Sequence, residues 1–473
     1  MNGKNLLRTA LGTARRKRYR KQVNPPRIIV LGFASAILIG TVLLKLPIAS
    51  ARQESLSFVD ALFTATSATC VTGLIVRDTG SDFSRFGQMV ILVLIQMGGL
   101  GIMTMSTAFL LLLGKRLSFR EQMVVKDTVV RGRIASLKTL IGYIVLITFT
   151  FEFIGTLILH VHFRNTYGLA PYTAFYQAAF HSVSAFCNAG FSLYTTSLSA
   201  FRKDWITLIT MGSLIVLGGL GFIVIYNVLN YRFWLRSRAR RGKLLLQTKT
   251  VLITSAILVV VMLIAFLTLE WNHTLLALPV PYKVMNGFFH AVTPRTAGFN
   301  TIPVQDMSNA VLFITLFMMF IGASPGSTGG GIKTCTLAVL IATSRAIVSG
   351  REEVRLMRRS LSRKVVQEAI CVALFAIGVV ILICMLLLVT EKNLVVYTSE
   401  KGHLLKLLFE TVSAFGTVGL STGITPSLTT LGRLLITITM FVGRIGPLTL
   451  ALIIAHREKR SLFHYPEEDV MIG

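Results

Sequence analysis

The chain has 473 residues, of which 53% are hydrophobic and only 14% are charged, and its mean hydropathy is +0.69. Apolar residues in this proportion exclude a soluble globular protein and predict an integral membrane protein. The formal net charge of +28 suggests nucleic acid, but 33 of the 48 basic residues lie in five blocks separated by pairs of apolar runs. Because basic loops stay on the cytoplasmic side of a membrane, the charge indicates topology, with both termini inside, and we expect no nucleic-acid partner. The blocks are residues 1–27, 115–138, 231–249 and 345–364, followed by Arg457, Lys459 and Arg460.

Eight apolar runs are long enough to cross a membrane, which takes about 20 residues of helix. The first run has a basic start and is followed by Ala49-Ser50-Ala51, as in a cleaved signal peptide. It is longer than the apolar region of a typical signal, and the repeats described below require it, so we expect it to be retained as a helix. The runs are 27–46, 88–113, 139–160, 206–230, 250–269, 308–341, 366–389 and 431–455.

The residues that usually carry catalysis or bind metals form no recognisable group. The five cysteines contain no C-x-x-C pair, which argues against a disulfide framework and a zinc site. No carboxylate pair or nucleophile triad stands out, so we expect neither an enzyme nor an organic cofactor. The cysteines are interpreted as buried free thiols: Cys70, Cys187, Cys335, Cys371 and Cys384.

A shorter, weakly apolar segment that ends in glycine lies between the two spans of each pair. A helix of about ten residues is too short to span a membrane, and the hydroxyl groups of these segments are too polar to face lipid. Each segment is therefore predicted to dip into the membrane from one side as a half-helix enclosed by protein. The segments are FTATSATCVTG, FHSVSAFCNAG, FFHAVTPRTAG and FETVSAFGTVG, ending at Gly73, Gly190, Gly298 and Gly419.

The spacing of these glycines indicates an internal repeat. They are 117, 108 and 121 residues apart, and each is followed after 24 to 28 residues by a small-residue element. Four units of span, half-helix and span are thus predicted. The elements are GGLG at Gly98 and Gly218, GASPG at Gly322 and GRIG at Gly443, and we interpret both GGLG elements as helix-packing surfaces. The predicted boundaries are a cytoplasmic N-terminus at 1–26, repeats at 27–114, 139–230, 250–344 and 365–455, cytoplasmic loops at 115–138, 231–249 and 345–364, and a tail at 456–473.

Four half-helices around a common axis would present the residues that follow them to a narrow pore. Backbone carbonyls there can replace the hydration shell of an ion, as in the filters of potassium channels, and glycine permits the positive φ that such a turn requires. Each glycine could instead only terminate its helix, but four in register favour a selectivity filter. The predicted filter residues are Val71, Thr72, Gly73, Asn188, Ala189, Gly190, Thr296, Ala297, Gly298, Thr417, Val418 and Gly419.

The stretch GASPGSTGGGIKT, residues 322–334, interrupts the sixth apolar run. Its glycines destabilise a helix by up to about 1 kcal/mol each and its proline by more, and such a loop survives at membrane depth only beside a water-filled cavity. A nucleotide-binding P-loop is disfavoured because Ile332 breaks the G-K-[ST] ending. The unwound helix of a solute carrier is a second alternative.

With these motifs, the chain resembles the membrane subunit of Ktr-type potassium uptake systems, in the TrkH/KtrB/HKT superfamily. The resemblance rests on VTGL, NAGF, TAGFN, TVGLS and the glycine-rich loop, in the expected order, and covers about residues 27–455. It implies an all-α integral membrane protein with eight transmembrane helices around one pseudo-four-fold pore. It also implies a multi-pass protein of the cell inner membrane in contact with membrane lipid, a homodimer, and a KtrA-like cytoplasmic nucleotide-binding ring as regulatory partner.

The resemblance further implies that the glycine-rich loop is a gate below the filter. Lys333 would place a positive charge on the ion path, and Arg444 would hold the loop or repel cations, unless it only packs a helix pair. Four filter glycines favour K+, since a serine at the first of them is associated with sodium transport in the plant branch. The predicted gate residues are Ser324, Pro325, Gly326, Ser327, Thr328, Gly329, Gly330, Gly331, Lys333 and Arg444.

The remaining polar residues of the spans and half-helices receive structural interpretations. His181 and His290 are expected to pack within half-helices, Arg295 to act as an external anchor beside a third segment that is one residue short, and Glu152 has no assigned role. The expected function is K+ uptake down its electrochemical gradient, with Na+ as a candidate activator. The alternatives are a K+/Na+ or K+/H+ symporter, a solute carrier, and a non-conducting membrane scaffold.

Overall fold

The computed structural model describes residues 25–101, 137–231, 244–391 and 402–446. These residues form fourteen α-helices, four short 3-10 turns and one two-stranded hairpin. In chain order the helices are α1 (Pro25–Lys45), α2 (Phe58–Thr69), α3 (Arg85–Gly99), α4 (Leu137–Tyr167), α5 (Pro171–Phe186), α6 (Trp205–Leu220), α7 (Phe222–Leu229), α8 (Leu246–Glu270), α9 (Val280–Val292), α10 (Asn309–Phe320), α11 (Thr334–Val348), α12 (Arg363–Thr390), α13 (His403–Gly416) and α14 (Thr430–Ile445).

Membrane-spanning helices are present, as predicted. Within the described ranges, α4, α8 and α12 are long and apolar enough to cross a membrane, and the bent pair of α6 and α7 makes a fourth candidate. The helices α1, α3, α10 and α11 are apolar but shorter. The predicted runs 88–113 and 431–455 extend beyond the described residues. The predicted cytoplasmic segments 1–26, 115–138 and 456–473 lie wholly or almost wholly outside them. The count of eight spans therefore stays a prediction.

The four predicted half-helix segments form α2, α5, α9 and α13. Local sequence explains where they begin: Ser57 Oγ accepts a hydrogen bond from the Asp60 N–H (3.1 Å) at the start of α2, and Pro171 opens α5. The second span of each repeat packs on the half-helix of the next repeat: α3 on α5, α6 on α9, α10 on α13, and α14 back on α2. The packing thus closes a cycle in which the last repeat meets the first.

The predicted span 206–230 is not one continuous helix. The chain turns by 98° between α6 and α7, at Gly221, where φ is 90°. The Phe222 N–H donates to the carbonyl oxygen of Gly326 (3.0 Å), a residue of the glycine-rich loop, so a tertiary contact replaces the helical hydrogen bond. The interpretation of GGLG as a packing surface is nevertheless confirmed at Gly98 and Gly218, where a Cβ atom would collide with the carbonyl oxygens of Thr69 and Phe186.

The described residues are mostly helical, as predicted, with one addition and one correction. β1 (Arg355–Leu356) and β2 (Arg359–Ser360) pair as a short antiparallel hairpin between α11 and α12. Met357 and Arg358 have positive φ, as a two-residue type I′ turn requires. All five cysteines are free, but Cys335 is only partly buried and Cys371 is exposed. The neighbours of Cys371 on α12, Ile370 and Leu374, are exposed too, as on a lipid-facing surface.

Candidate functional site

The four predicted filter segments share one backbone conformation. In each, the first residue and the glycine two positions later both have positive φ, an arrangement that is unfavourable for a β-branched residue such as Val71. Surrounding structure must hold a conformation of this kind. The φ values are 56° at Val71, 59° at Asn188, 75° at Thr296 and 50° at Thr417, and then 91° at Gly73, 70° at Gly190, 78° at Gly298 and 91° at Gly419.

The four glycines form a closed ring. Each lies against the carbonyl oxygen of the middle residue in the following segment, and the fourth returns to the first. A Cβ atom built on the glycine would lie 2.5 Å from that oxygen at Gly73, 2.9 Å at Gly190 and 2.6 Å at Gly298, and it would collide at Gly419. Only glycine fits these positions, and segments 1 and 3 lie opposite each other, as do segments 2 and 4. The oxygens belong to Ala189, Ala297, Val418 and Thr72, in that order.

A hydroxyl group on each half-helix holds the segment that follows it. Ser67 Oγ donates to Leu74 O (2.7 Å) and accepts from the Gly73 N–H (3.1 Å). The equivalent bonds are Ser184 Oγ to Phe191 O (2.8 Å), Thr293 Oγ1 to Phe299 O (2.6 Å) and Gly419 N–H to Ser413 Oγ (3.1 Å). Thr293 reaches six residues ahead instead of seven, which confirms that the third segment is one residue shorter. Sequence reasoning did not single out these hydroxyls, although each precedes its glycine by five or six residues.

Two filter threonines offer unused oxygen atoms. Thr72 Oγ1 and Thr296 Oγ1 are buried, and neither has a hydrogen-bond partner among the described residues. Buried hydroxyls are normally satisfied by protein or by water. Atoms of this kind beside a ring of carbonyl oxygens are suited to contact water or a cation.

The glycine-rich loop lies against the end of the ring at which the half-helices terminate, which we call the inner end. It begins after α10 and ends at α11. The Gly330 N–H donates to Thr417 Oγ1 (3.1 Å), and Thr296 Oγ1 occupies the space that a Cβ atom on Gly329 would need. Two glycines of the loop thus lie directly against the first residues of filter segments 3 and 4.

The same loop is tied to the second repeat. The backbone N–H groups of Ser324 and Thr328 donate to the carbonyl oxygens of Gly219 (3.2 Å) and Gly218 (3.3 Å). Thr328 Oγ1 donates to Phe186 O at the end of α5 (3.4 Å). At the break between α6 and α7, carbonyls of the GGLG element thus accept from the loop. Pro325, Gly326 and Ser327 form the more exposed tip.

Arg444 and Lys333 both bind carbonyl oxygens of the loop. Arg444 is buried and donates to Thr328 O in the loop and to Gly98 O in the first repeat. The guanidinium thus holds the loop instead of extending to a membrane surface. Lys333 Nζ donates to Gly329 O (2.7 Å) and Gly330 O (3.2 Å), so the ammonium group folds back on the loop itself.

The structure corrects the interpretation of Arg295 and gives Glu152 partners. Arg295 is not an external anchor: its side chain is buried and donates to Ser255 Oγ on α8 (2.9 Å). Glu152 accepts from Gln96 Nε2 (3.2 Å) and from Cys187 Sγ (3.6 Å), which connects α4 to α3 and to the end of α5. Both residues therefore lie behind the filter segments and not at a surface.

The fold and the ring define a class: a helical membrane protein in which four repeated segments surround one axis with backbone carbonyl oxygens. The profile of the family described as "TrkH: Cation transport protein" matches residues 10–465. The chain belongs to this family of cation transport proteins, which is not a family of enzymes.

Similar proteins cover nearly the whole chain. Ktr system potassium uptake protein B of Bacillus subtilis (strain 168) is 38% identical over 95% of this chain and 97% of its own. Potassium/sodium uptake protein NtpJ of Enterococcus hirae is 37% identical over 98% of this chain and 100% of its own. The crystal structure of the potassium transporter TrkH from Vibrio parahaemolyticus has a TM-score of 0.67 and covers 93% of this chain and 87% of its own, at 18% identity. That structure shows the same fold.

Proposed function

We propose that this chain is a potassium uptake protein that conducts K+ through the ring of Gly73, Gly190, Gly298 and Gly419. The observation that carries the proposal is the closed ring itself, in which each glycine leaves room for the carbonyl oxygen of its neighbour. Such oxygens can replace the water around a K+ ion. The names of the relatives, potassium uptake protein B and potassium/sodium uptake protein, support a monovalent cation as the transported species.

The loop at residues 322–334 is proposed as the gate. It lies against the inner end of the ring, and its glycines bind or touch Thr296 and Thr417. Arg444 bridges the loop to the first repeat. An ion leaving the ring inward would meet this loop, so its displacement would open the path.

Selectivity for K+ over Na+ is expected but limited. All four ring positions are glycine, which favours K+, whereas only fragments of the long potassium-channel filter are present, such as Thr417 to Gly419. Fewer complete carbonyl rings give fewer dehydrated ion sites in series. Na+ is proposed as an activator, and a coupled K+/Na+ or K+/H+ symport is the alternative to be tested.

Regulation is proposed to come from the cytoplasmic side. The names of the relatives describe one protein of a Ktr system, and we infer a homodimer in the inner membrane that binds a nucleotide-binding ring. The β1–β2 hairpin has exposed arginines next to α12 that offer this cytoplasmic partner a basic contact: Arg355, Arg358 and Arg359.

The test is uptake of radioactive rubidium, a K+ substitute, by a bacterium that lacks its own K+ uptake and expresses this chain with its cognate cytoplasmic subunit. Gly73→Ser should lower rubidium uptake and relax K+/Na+ selectivity, and deletion of residues 326–331 should raise flux. Gly378→Ala is the control, because a Cβ atom there meets nothing within 4 Å. Unchanged selectivity in Gly73→Ser, together with abolished flux in the deletion variant, would contradict the proposed filter and gate. Flux that requires a Na+ or H+ gradient would establish symport instead.

A further inference from the structure

The outer ends of the four filter segments are held differently, although their inner ends are equivalent. The difference lies at one position of the half-helix, nine residues before the ring glycine, or eight in the shorter third segment. The residues at this position are Thr64, His181, His290 and Glu410. Two of these side chains contact the chain just beyond the ring, and two do not.

In the fourth repeat, Glu410 accepts from the chain that follows Gly419. The donors are Ser421 Oγ (2.5 Å) and the Thr422 N–H (3.0 Å), two and three residues beyond the glycine. Thr425 Oγ1 donates to the second carboxyl oxygen (2.9 Å). Glu410 is 1% exposed, so these bonds replace the water that would otherwise solvate the carboxyl group.

In the second repeat, His181 makes the same pair of bonds with a different chemical group. Its Nδ1 lies 2.7 Å from Gln177 O, a carbonyl that only accepts, so Nδ1 carries the hydrogen and Nε2 is an acceptor. Nε2 accepts from Ser192 Oγ (3.1 Å) and from the Leu193 N–H (3.4 Å). These donors again lie two and three residues beyond the ring glycine, Gly190.

The serine at each of these sites also makes the same second bond. Ser192 Oγ accepts from the Tyr194 N–H (3.0 Å), and Ser421 Oγ accepts from the Gly423 N–H (2.9 Å). Acceptor, serine and turn thus form one structural unit that occurs in repeats 2 and 4. We call it the outer brace.

The other two repeats lack the outer brace. Thr64 Oγ1 is buried without a hydrogen-bond partner among the described residues, and His290 Nε2 bonds Thr315 Oγ1 on α10 (3.3 Å) instead. The residue two positions beyond the glycine is Ile75 in repeat 1 and Asn300 in repeat 3, and neither is a serine. Because repeats 2 and 4 are opposite in the ring, the braces lie on one diagonal.

We propose that His181 and Glu410 are positioning residues for ion selectivity, and that they brace the filter along the diagonal of repeats 2 and 4. The proposal rests on the proposed conduction of K+ through the ring. Each brace fixes the backbone two residues beyond one ring glycine, so its loss shifts the carbonyl oxygen of that segment, and loss of both braces shifts two opposite segments. The unbraced diagonal of repeats 1 and 3 depends on the inner hydroxyls Ser67 and Thr293.

The test measures the K+/Na+ selectivity of rubidium and sodium uptake for Ser421→Ala and Ser192→Ala, which remove one hydroxyl each. Selectivity should fall about fivefold, the factor represented by one ordinary hydrogen bond. Each double variant, Ser421→Ala with Glu410→Ala or Ser192→Ala with His181→Ala, should lose less selectivity than the sum of its two single losses, because the two side chains share one hydrogen bond. Glu410→Gln and His181→Gln keep an acceptor at the brace. As single variants they should therefore retain most of the wild-type selectivity, unlike Glu410→Ala and His181→Ala.

Thr64→Val is the matched control, because its hydroxyl makes no bond in the unbraced repeat 1. Equal effects of Thr64→Val and Ser421→Ala, additive double variants, or unchanged selectivity in the serine variants would overturn the proposal. A second readout is independent of transport: amide hydrogen exchange at residues 190–194 and 419–425 should accelerate in the serine variants. If wild type itself carries no rubidium, the proposed function fails, and exchange alone then decides whether the braces exist.

Discussion

The ring and the loop at its inner end are built on opposite principles. The ring is assembled four times from equivalent parts, with the same pair of positive φ values and a hydroxyl on each half-helix. The loop occurs in repeat 3, and its contacts reach Gly218 in repeat 2, Thr417 in repeat 4 and, through Arg444, Gly98 in repeat 1. A site that surrounds an ion needs equal oxygens on all sides, whereas a barrier needs one movable element that all four repeats can influence.

The largest effect should come from breaking the symmetry of the ring. An alanine at any one of the four ring glycines would combine a positive φ with a collision against a carbonyl oxygen. Strain of roughly 3 kcal/mol, the scale of one badly placed backbone residue, corresponds to about 100-fold lower K+ uptake. Uptake normalised to protein level should fall to a similar extent at all four positions. A freely tolerated alanine at one of them would show that this repeat does not contribute to the ring.

Arg444→Gln should release the loop without touching the ring. It removes charged hydrogen bonds to Thr328 O and Gly98 O, each worth about 1.5–3 kcal/mol when buried. K+ uptake without the cytoplasmic partner should rise about 10-fold, with selectivity unchanged. Arg444→Lys keeps the positive charge but replaces the two-pronged guanidinium by a single ammonium group, so it should be intermediate. Loss of uptake at normal protein levels would mean that Arg444 builds the pore and does not hold a gate.

Thr417→Val should weaken the contact between the loop and the ring by a smaller amount. The Gly330 N–H loses its acceptor, a change of about 1 kcal/mol, or about fivefold in the open population. The backbone tolerates valine, because Val71 has a φ of 56° at the equivalent position of repeat 1. Basal rubidium uptake measures the effect. Thr66→Val is the control, since its buried hydroxyl has no partner among the described residues, and an equal rise there would argue against the contact.

The smallest effect should come from the place where the cycle of repeats closes. Asp60 on α2 binds Arg77 (3.1 Å) and Arg433 of α14 (2.6 Å), but the arginine side chains are 48% and 24% exposed. Partly exposed pairs contribute about 1 kcal/mol or less, so Asp60→Asn should lower the Tm in detergent by about 2 °C and leave selectivity intact. Arg355→Gln, in an exposed pair with Glu353, should not change Tm. A changed selectivity with Asp60→Asn would show that this closure shapes the ring.

Periodic features of the sequence predicted the repeated parts of the structure. The four half-helices, the ring glycines and the interrupted helix at residues 322–334 follow from a motif that recurs at nearly constant spacing and from helix-breaking composition. Repetition is informative because one weak local signal becomes strong when it appears four times in register.

Features that depend on a single tertiary contact were not predictable. At the 98° turn between α6 and α7, the Phe222 N–H donates to the loop carbonyl of Gly326, a partner 104 residues away that the local GGLG pattern does not specify. His181 and His290 occupy matching positions, but one bonds the chain beyond the ring and the other bonds Thr315. A pattern of residue types does not encode which of several nearby acceptors or donors is reached.

The central claim is that the carbonyl oxygens of the ring bind a dehydrated K+ ion. Anomalous diffraction from crystals grown with Rb+ or Tl+ in place of K+ tests this directly. We expect an anomalous peak on the ring axis, surrounded by the carbonyl oxygens of Thr72, Ala189, Ala297 and Val418, which disappears in crystals of Gly419→Ala. An empty ring in crystals of a protein that transports rubidium, with the peak at another site, would contradict the account.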